Sequence, residues 1–208
     1  MRILTVSDKI DDTLYGPHIR SNVGRVDLIL SAGDLPFYYL DYLITMLNAP
    51  GYFVYGNHGA EGTTDEECRD EHVAGCRDLD GRVVRVQGLL LAGLEGSIRY
   101  NNTSPYQYTQ GEMLMKVLGL APRLFLNRLR YGRYLDILLT HSPPFGIHDG
   151  PDRPHQGFRS FLHFMRWFQP HYLIHGHQHV YNHKMPTMTQ YGETTIINAY
   201  GHRIIEWP

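Results

Sequence analysis

The sequence predicts an α/β protein, with one mixed β-sheet or two sheets packed together. Three observations carry this reading. Apolar runs of 4–7 residues, β-branched in part and bounded by Gly, Pro or Asp, read as buried strands. The early runs alternate with helix-like stretches, which implies parallel pairing. The last runs follow one another closely, which implies an antiparallel part. The chain of 208 residues, 42% of them hydrophobic, is long enough to bury a core without disulfide staples. No linker or internal repeat divides it. A single domain over residues 1–208 is expected, with insertions near 61–81 and 101–133.

The expected strands are Arg2–Ser7, Val26–Ser31, Tyr52–Tyr55, Leu89–Leu94, Tyr134–Thr140 and His171–His175, then Thr194–Asn198 and His202–Trp207. Helices are expected at Tyr38–Leu47 and Phe158–Phe168, where apolar residues recur at 3–4 spacing. Gln110–Arg130 reads as a longer helical region interrupted by Gly119 and Pro122.

Composition excludes several function classes. A net charge of -2 argues against a protein that holds long nucleic acid through its phosphates. Cys68 and Cys76 are too few for a disulfide framework. The opening MRILTVSDKIDD is not a signal peptide, and no apolar run reaches the ~20 residues of a membrane span. A cytoplasmic protein without membrane partners is expected. Neither a GxxxxGK[ST] loop nor a GxGxxG turn is present.

The 13 His residues are unevenly placed: nine of them, His141, His148, His155, His163, His171, His175, His177, His179 and His183, lie between 141 and 183. The residues at the end of each apolar run are more telling. Strand one ends in Ser7-Asp8, strand two in Gly33-Asp34, and strand three in Gly56-Asn57-His58. DILLT ends in His141, and YLIH in Gly176-His177-Gln178-His179. In open α/β sheets ligands bind beyond the carboxyl ends of the strands, so these side chains, distant in sequence, should converge. Carboxylate, amide oxygen and imidazole together make a borderline donor set for a divalent metal.

This ordered set of motifs resembles the calcineurin-like metallophosphoesterase superfamily. The resemblance covers Asp8 to His179, and THSPP with GIHDGPDRPHQG is similar to a subgroup of compact bacterial phosphoesterases. It implies an αββα four-layer sandwich, two mixed sheets flanked by helices. It also implies metal-activated water attack on a phosphate ester at a dinuclear centre. Asp34 would bridge two divalent ions, Asp8 and His179 would hold the first, and Asn57, His141 and His177 the second. His58 would sit beside the scissile phosphate as phosphate ligand or general acid. Mn²⁺ is the first expectation, with Fe, Zn²⁺, Co²⁺ or Ni²⁺ as alternatives. The expected substrate is a small phosphate ester, with a diester preferred by analogy. The competing readings are a non-catalytic metal- or phosphate-binding scaffold of the same fold, and a nuclease.

The chain departs from the family pattern twice. Ile10 stands where the family's Asp-x-His motif has its His, which weakens the first site unless Asp11 or Asp12 turns in. Gly59 stands where an acid often orients the motif His, leaving Glu61 or Asp65 to orient His58. His148, Asp149, Asp152 and His155 are candidates for orienting ligands or touching substrate, and Asn198 for supporting the ligand loops. Cys68, His72 and Cys76 would share one helix face if that stretch were helical, although an acidic surface insertion is the simpler reading. Arg123, Arg128, Arg130 and Arg133 form a basic patch that could steer an anion. Tyr100, Tyr106 and Tyr108 could rim a pocket.

Overall fold

The computed structural model describes residues 1–58, 75–101, 105–180 and 185–208. The first half of the chain forms β1 (Arg2–Ser7), α1 (Ile19–Val23), β2 (Leu28–Ser31), α2 (Phe37–Leu47), β3 (Gly51–Phe53), β4 (Cys76–Asp78), β5 (Val83–Val86), β6 (Leu89–Leu94) and β7 (Ser97–Ile98). The second half forms β8 (Gln107–Tyr108), α3 (Gln110–Tyr131), β9 (Ile137–Thr140), α4 (Arg159–Phe168), β10 (Tyr172–His175), β11 (Met188–Tyr191), β12 (Thr194–Asn198) and β13 (Gly201–Glu206).

The strands build two large mixed sheets. The first has the order β13-β1-β2-β3-β4 and the second β11-β12-β10-β9-β6-β5. β1 to β4 are parallel and β13 closes the edge antiparallel to β1. β6, β9, β10 and β12 are parallel, with β5 and β11 antiparallel at the two edges. Alternation along the strands then sends successive side chains to two different apolar layers. Ile3, Leu28 and Leu30 face Leu91, Leu139, Ile174 and Ile197 between the sheets. Leu4, Val6 and Ile29 face away, against Leu40 and Leu43 of α2. Leu90, Leu138 and Leu173 pack under α3 and α4. Strands buried on both faces need continuous apolar runs, which is why VDLILS and LLLAGL show no polar alternation. The four layers are those the family resemblance implies.

The differences from expectation have local causes. α3 is a single helix of 22 residues through Gly119 and Pro122. A capping box starts it: the Thr109 hydroxyl accepts from the Glu112 N–H at 3.2 Å and Glu112 accepts from the Thr109 N–H at 2.7 Å. Met113, Val117, Leu120 and Leu124 anchor it to the sheet, outweighing two poor helix formers that both lie on its exposed side. The short or half-exposed elements α1, β4, β5, β7, β8 and β11 carry too little periodicity to be read from sequence. Among the described residues no helix is long and apolar enough to cross a membrane.

Leu139 is 1% exposed in the layer between the sheets. Leu139→Ala is expected to destabilise the protein by about 2–5 kcal/mol, read as a lower urea midpoint at unchanged slope.

Candidate metal centre

β1, β2, β9 and β10 all run in the direction that brings their carboxyl ends to one edge, where the two sheets meet. Three backbone bonds tie the loops there. The Asp8 N–H donates to the Gly33 carbonyl at 3.2 Å, the Gly176 N–H to the His141 carbonyl at 3.0 Å, and the Gly96 N–H to the Tyr55 carbonyl at 2.9 Å. Asp8, Asp34 and His177, each just beyond a strand, have φ of 61°, 54° and 65°. A left-handed backbone is uncommon for residues with side chains, and such strain gathers at functional sites. Gly56 and Gly176 permit the crowding: a Cβ on Gly56 would collide with the Asp34 carboxylate, and one on Gly176 with Ser7 and Asp8.

The side chains converge as lone-pair donors. Asp34, His141 and His177 each offer a ligand atom within 4.8 Å of the others. His141 donates Nδ1–H to the Ala32 carbonyl at 2.7 Å, so its Nε2 is turned inward. That Nε2 lies 3.2 Å from Asp34 Oδ2 and 3.1 Å from Asn57 Oδ1. His177 donates Nε2–H to the Pro154 carbonyl at 2.8 Å, which leaves Nδ1 with the lone pair. Asn57 donates its Nδ2–H to the Tyr100 hydroxyl at 3.2 Å, which turns its carbonyl oxygen toward His141. His141, Asn57 and His177 are buried.

Charge within the cluster follows from this geometry. Burial alone would push His141 down, but the Asp34 carboxylate, with Asp8 behind it, pushes the imidazole up to about 9. Burial would raise Asp34, yet the His141 cation and its hydrogen bond hold the carboxyl below its ordinary value. Burial, reinforced by His141, pushes His177 down to about 3, so its imidazole is neutral. Burial also raises Asp8, against the pull of His141. Without an ion, the proton on His141 Nε2 therefore supplies the one positive charge that three facing acceptors require.

A model of the family described as calcineurin-like phosphoesterase matches residues 7–181. The chain belongs to the calcineurin-like phosphoesterase family. The fold agrees: the structure of TT1561 from Thermus thermophilus superposes with a TM-score of 0.59 at 15% identity, covering 96% of this chain and 89% of that one. A structure described as a novel archaeal phosphodiesterase gives a TM-score of 0.43 at 16% identity, covering 97% and 84%. No curated protein matches the chain by sequence. Family membership makes the chemistry that of a metal-dependent phosphoesterase. The residues present fit such an ion: two imidazoles, a carboxylate and an amide oxygen suit a borderline divalent metal.

The other expected site residues each make contacts of their own. Asp8 lies close enough to feel Asp34 and His141, and its carboxylate accepts from the His177 N–H at 3.0 and 2.9 Å and from Ser7. It stands outside the convergent group, as does His179, whose ring lies 4.9 Å from that of Tyr200. The His58 side chain is exposed, and its backbone N–H donates to Asp34 Oδ1 at 3.1 Å. Asn198 donates to the Gln178 carbonyl at 2.9 Å and accepts from the Tyr200 N–H at 2.9 Å, bracing the loop that carries His177 and His179. Asp149 accepts from the Gly157 N–H at 3.1 Å. Asp152 pairs with His155 at 2.6 Å, and the His155 ring lies 5.2 Å from that of His177. His148 bonds His175 at 2.9 Å and Thr189 at 2.8 Å, behind the Gly176 turn.

Some expectations fail. Asp11 does not turn into the first site: it caps the Thr13 N–H at 2.9 Å and pairs with His202 at 2.7 Å. Ile10 packs into the apolar layer under α2. The Arg patch lies at the wrong end, because Arg133 holds Asp136 just before β9 and the Gly88 carbonyl just before β6, at their amino ends. Tyr108 bonds Glu95 and Lys116 and Tyr106 stacks on Tyr55 at 4.6 Å, while Tyr100 reaches the site through Asn57. Cys76 begins strand β4, so it shares no helix face with Cys68 and His72. Cys68 and His72, with Gly59, Glu61 and Asp65, lie outside the described residues, as does His183. Tyr100's role and the Ala32 and Pro154 carbonyls went unread, since backbone acceptors leave no mark in a sequence.

An ion entering this group must displace the His141 proton, so affinity should fall as pH drops from 8 to 6. Calorimetric titration of the ion-free protein with Mn²⁺ at pH 7, in two buffers of different ionisation enthalpy, is expected to show about one proton released per ion. No proton release would contradict the assignment of His141.

Proposed function

We propose that the protein hydrolyses small phosphate diesters with divalent ions held at two unequal sites. The observation that carries this reading is the convergence of Asp34, His141 and His177 beside Asn57 Oδ1. Those four residues would hold the tighter ion, while Asp8 and His179 together with Asp34 would hold a second one weakly, because Ile10 offers no donor. Bound ions of this kind polarise a phosphoryl oxygen and acidify water.

The chain's own residues then do the rest. The Ala32 and Pro154 carbonyls hold the far nitrogens of His141 and His177, so His177 presents a lone pair and His141 would present one once its Nε2 proton is displaced. Tyr100 stops the Asn57 amide from flipping. His58 is tethered through its backbone to Asp34 and leaves its ring exposed at the mouth of the site, where it can protonate a leaving oxygen. The local charge that attracts phosphate comes from bound ions, because the Arg patch lies at the far end of the sheets.

The non-catalytic reading has one observation in its favour: Ile10 and Asp11 are both committed elsewhere, so the first site lacks a ligand. Turnover separates the readings. With Mn²⁺, the protein is expected to cleave bis(p-nitrophenyl) phosphate faster than p-nitrophenyl phosphate, and Asp34→Asn to abolish both activities. His58→Ala is expected to lower kcat by about 10²–10⁴ while ion content stays unchanged. No turnover with any divalent ion would favour the scaffold, and faster monoester cleavage would overturn the diester assignment.

A further inference from the structure

α3 is apolar on two faces. One face, Met113, Val117, Leu120 and Leu124, is buried on the second sheet. The other carries Met115, Leu118, Pro122, Phe125 and Leu129, the 3-4-3-4 spacing of a helix–helix seam, with Leu126 beside it. Met115, Leu118, Phe125, Leu126 and Leu129 are 66%, 43%, 54%, 52% and 84% exposed. The outer face is covered only in part among the described residues: Phe125 meets Tyr134 and Phe168 edge-on, at ring separations of 5.5 and 6.0 Å, and stays half exposed.

We propose that this outer face of α3 binds a second copy of the chain, antiparallel, about a two-fold axis at Pro122. An isologous contact requires a surface that complements itself. Reversing the helix about Pro122 sets Met115 against the partner's Leu129, and Leu118 against the partner's Leu126. It also sets Phe125 against the partner's Gly119. Among the described residues a Cβ on Gly119 would meet no atom within 4 Å, so none of them accounts for a helix glycine that costs about 1 kcal/mol relative to Ala. In the pair, that bare stretch of backbone is the recess for a phenyl ring. Arg123 and Arg130 fall just outside the seam, toward solvent.

Area supports the same occupant. At about 200 Å² per fully exposed large apolar residue, the five side chains offer about 600 Å² on each protomer. A pair that covered all of it would bury about 1,200 Å², the lower bound for a specific, stable interface. Trp167, 48% exposed on α4, adds apolar surface on the helix that packs beside α3.

Sedimentation velocity of the full chain between about 5 and 100 μM should show a species of twice the monomer mass. Leu129→Glu and Phe125→Glu should each weaken self-association by about 10-fold or more. Met188→Glu, a control at a residue 57% exposed on β11, should leave it unchanged. The Met115→Cys/Leu129→Cys double variant should oxidise to a covalent dimer, with the unsubstituted protein as control for Cys68 and Cys76. Within one helix those two positions are about 21 Å apart, beyond disulfide reach. A monomer at every concentration would overturn the proposal, whether or not it binds vesicles rich in anionic lipid. So would a dimer indifferent to both α3 substitutions, or one that fails to cross-link.

Discussion

Lone pairs facing one another in a buried place must share a positive charge. His141 Nε2 lies 3.2 Å from Asp34 Oδ2 and 3.1 Å from Asn57 Oδ1, with His177 completing the group. Buried acceptors without a partner are costly, and a proton on His141 relieves only part of that cost. A divalent ion satisfies all of them together. The carbonyls of Ala32 and Pro154, the Tyr100 hydroxyl and the His58 N–H each take up the opposite end of a ligand. The site is thereby held in an acceptor-rich state.

The fold supplies the crowding this requires. Two sheets packed face to face bring the carboxyl ends of β1, β2, β9 and β10 to one edge, so ligands from widely separated positions meet without long loops. Where the chain leaves those strands, Asp8, Asp34 and His177 accept left-handed backbone conformations, and Gly56 and Gly176 let neighbouring loops touch. The layer between the sheets, built on Leu30, Leu91, Leu139 and Ile174, fixes the spacing of the edge. The same geometry underlies the proposal of two unequal sites: Ile10 is drawn into the apolar layer under α2 and Asp11 is paired with His202, so neither is available as a donor beside Asp8.

Most of this architecture is legible in the sequence. Apolar runs bounded by glycine mark the long central strands to within a few residues, because a strand buried on both faces has little freedom of composition. The residues after Ser7, Gly33, Gly56, Thr140 and Gly176 mark the site, since each motif pairs a sharp turn with a donor side chain. Contacts made by backbone atoms are hidden, as are edge strands such as β11, whose half-exposed residues need no pattern. The Arg patch misleads for a topological reason: α3 runs away from the ligand edge, so its carboxyl end, rich in arginine, arrives at the opposite end of the sheets. The count of 13 His overstates the case, because residues such as His163, stacked on Trp167, serve packing.

Everything turns on whether the convergent group holds an ion more firmly than the second site proposed beside it. Elemental analysis after exhaustive dialysis of Mn²⁺-loaded protein measures this directly. The account requires about one retained ion per chain, lost in His141→Ala, with a second that exchanges freely. Two firmly held ions per chain, or one retained ion in His141→Ala, would contradict it.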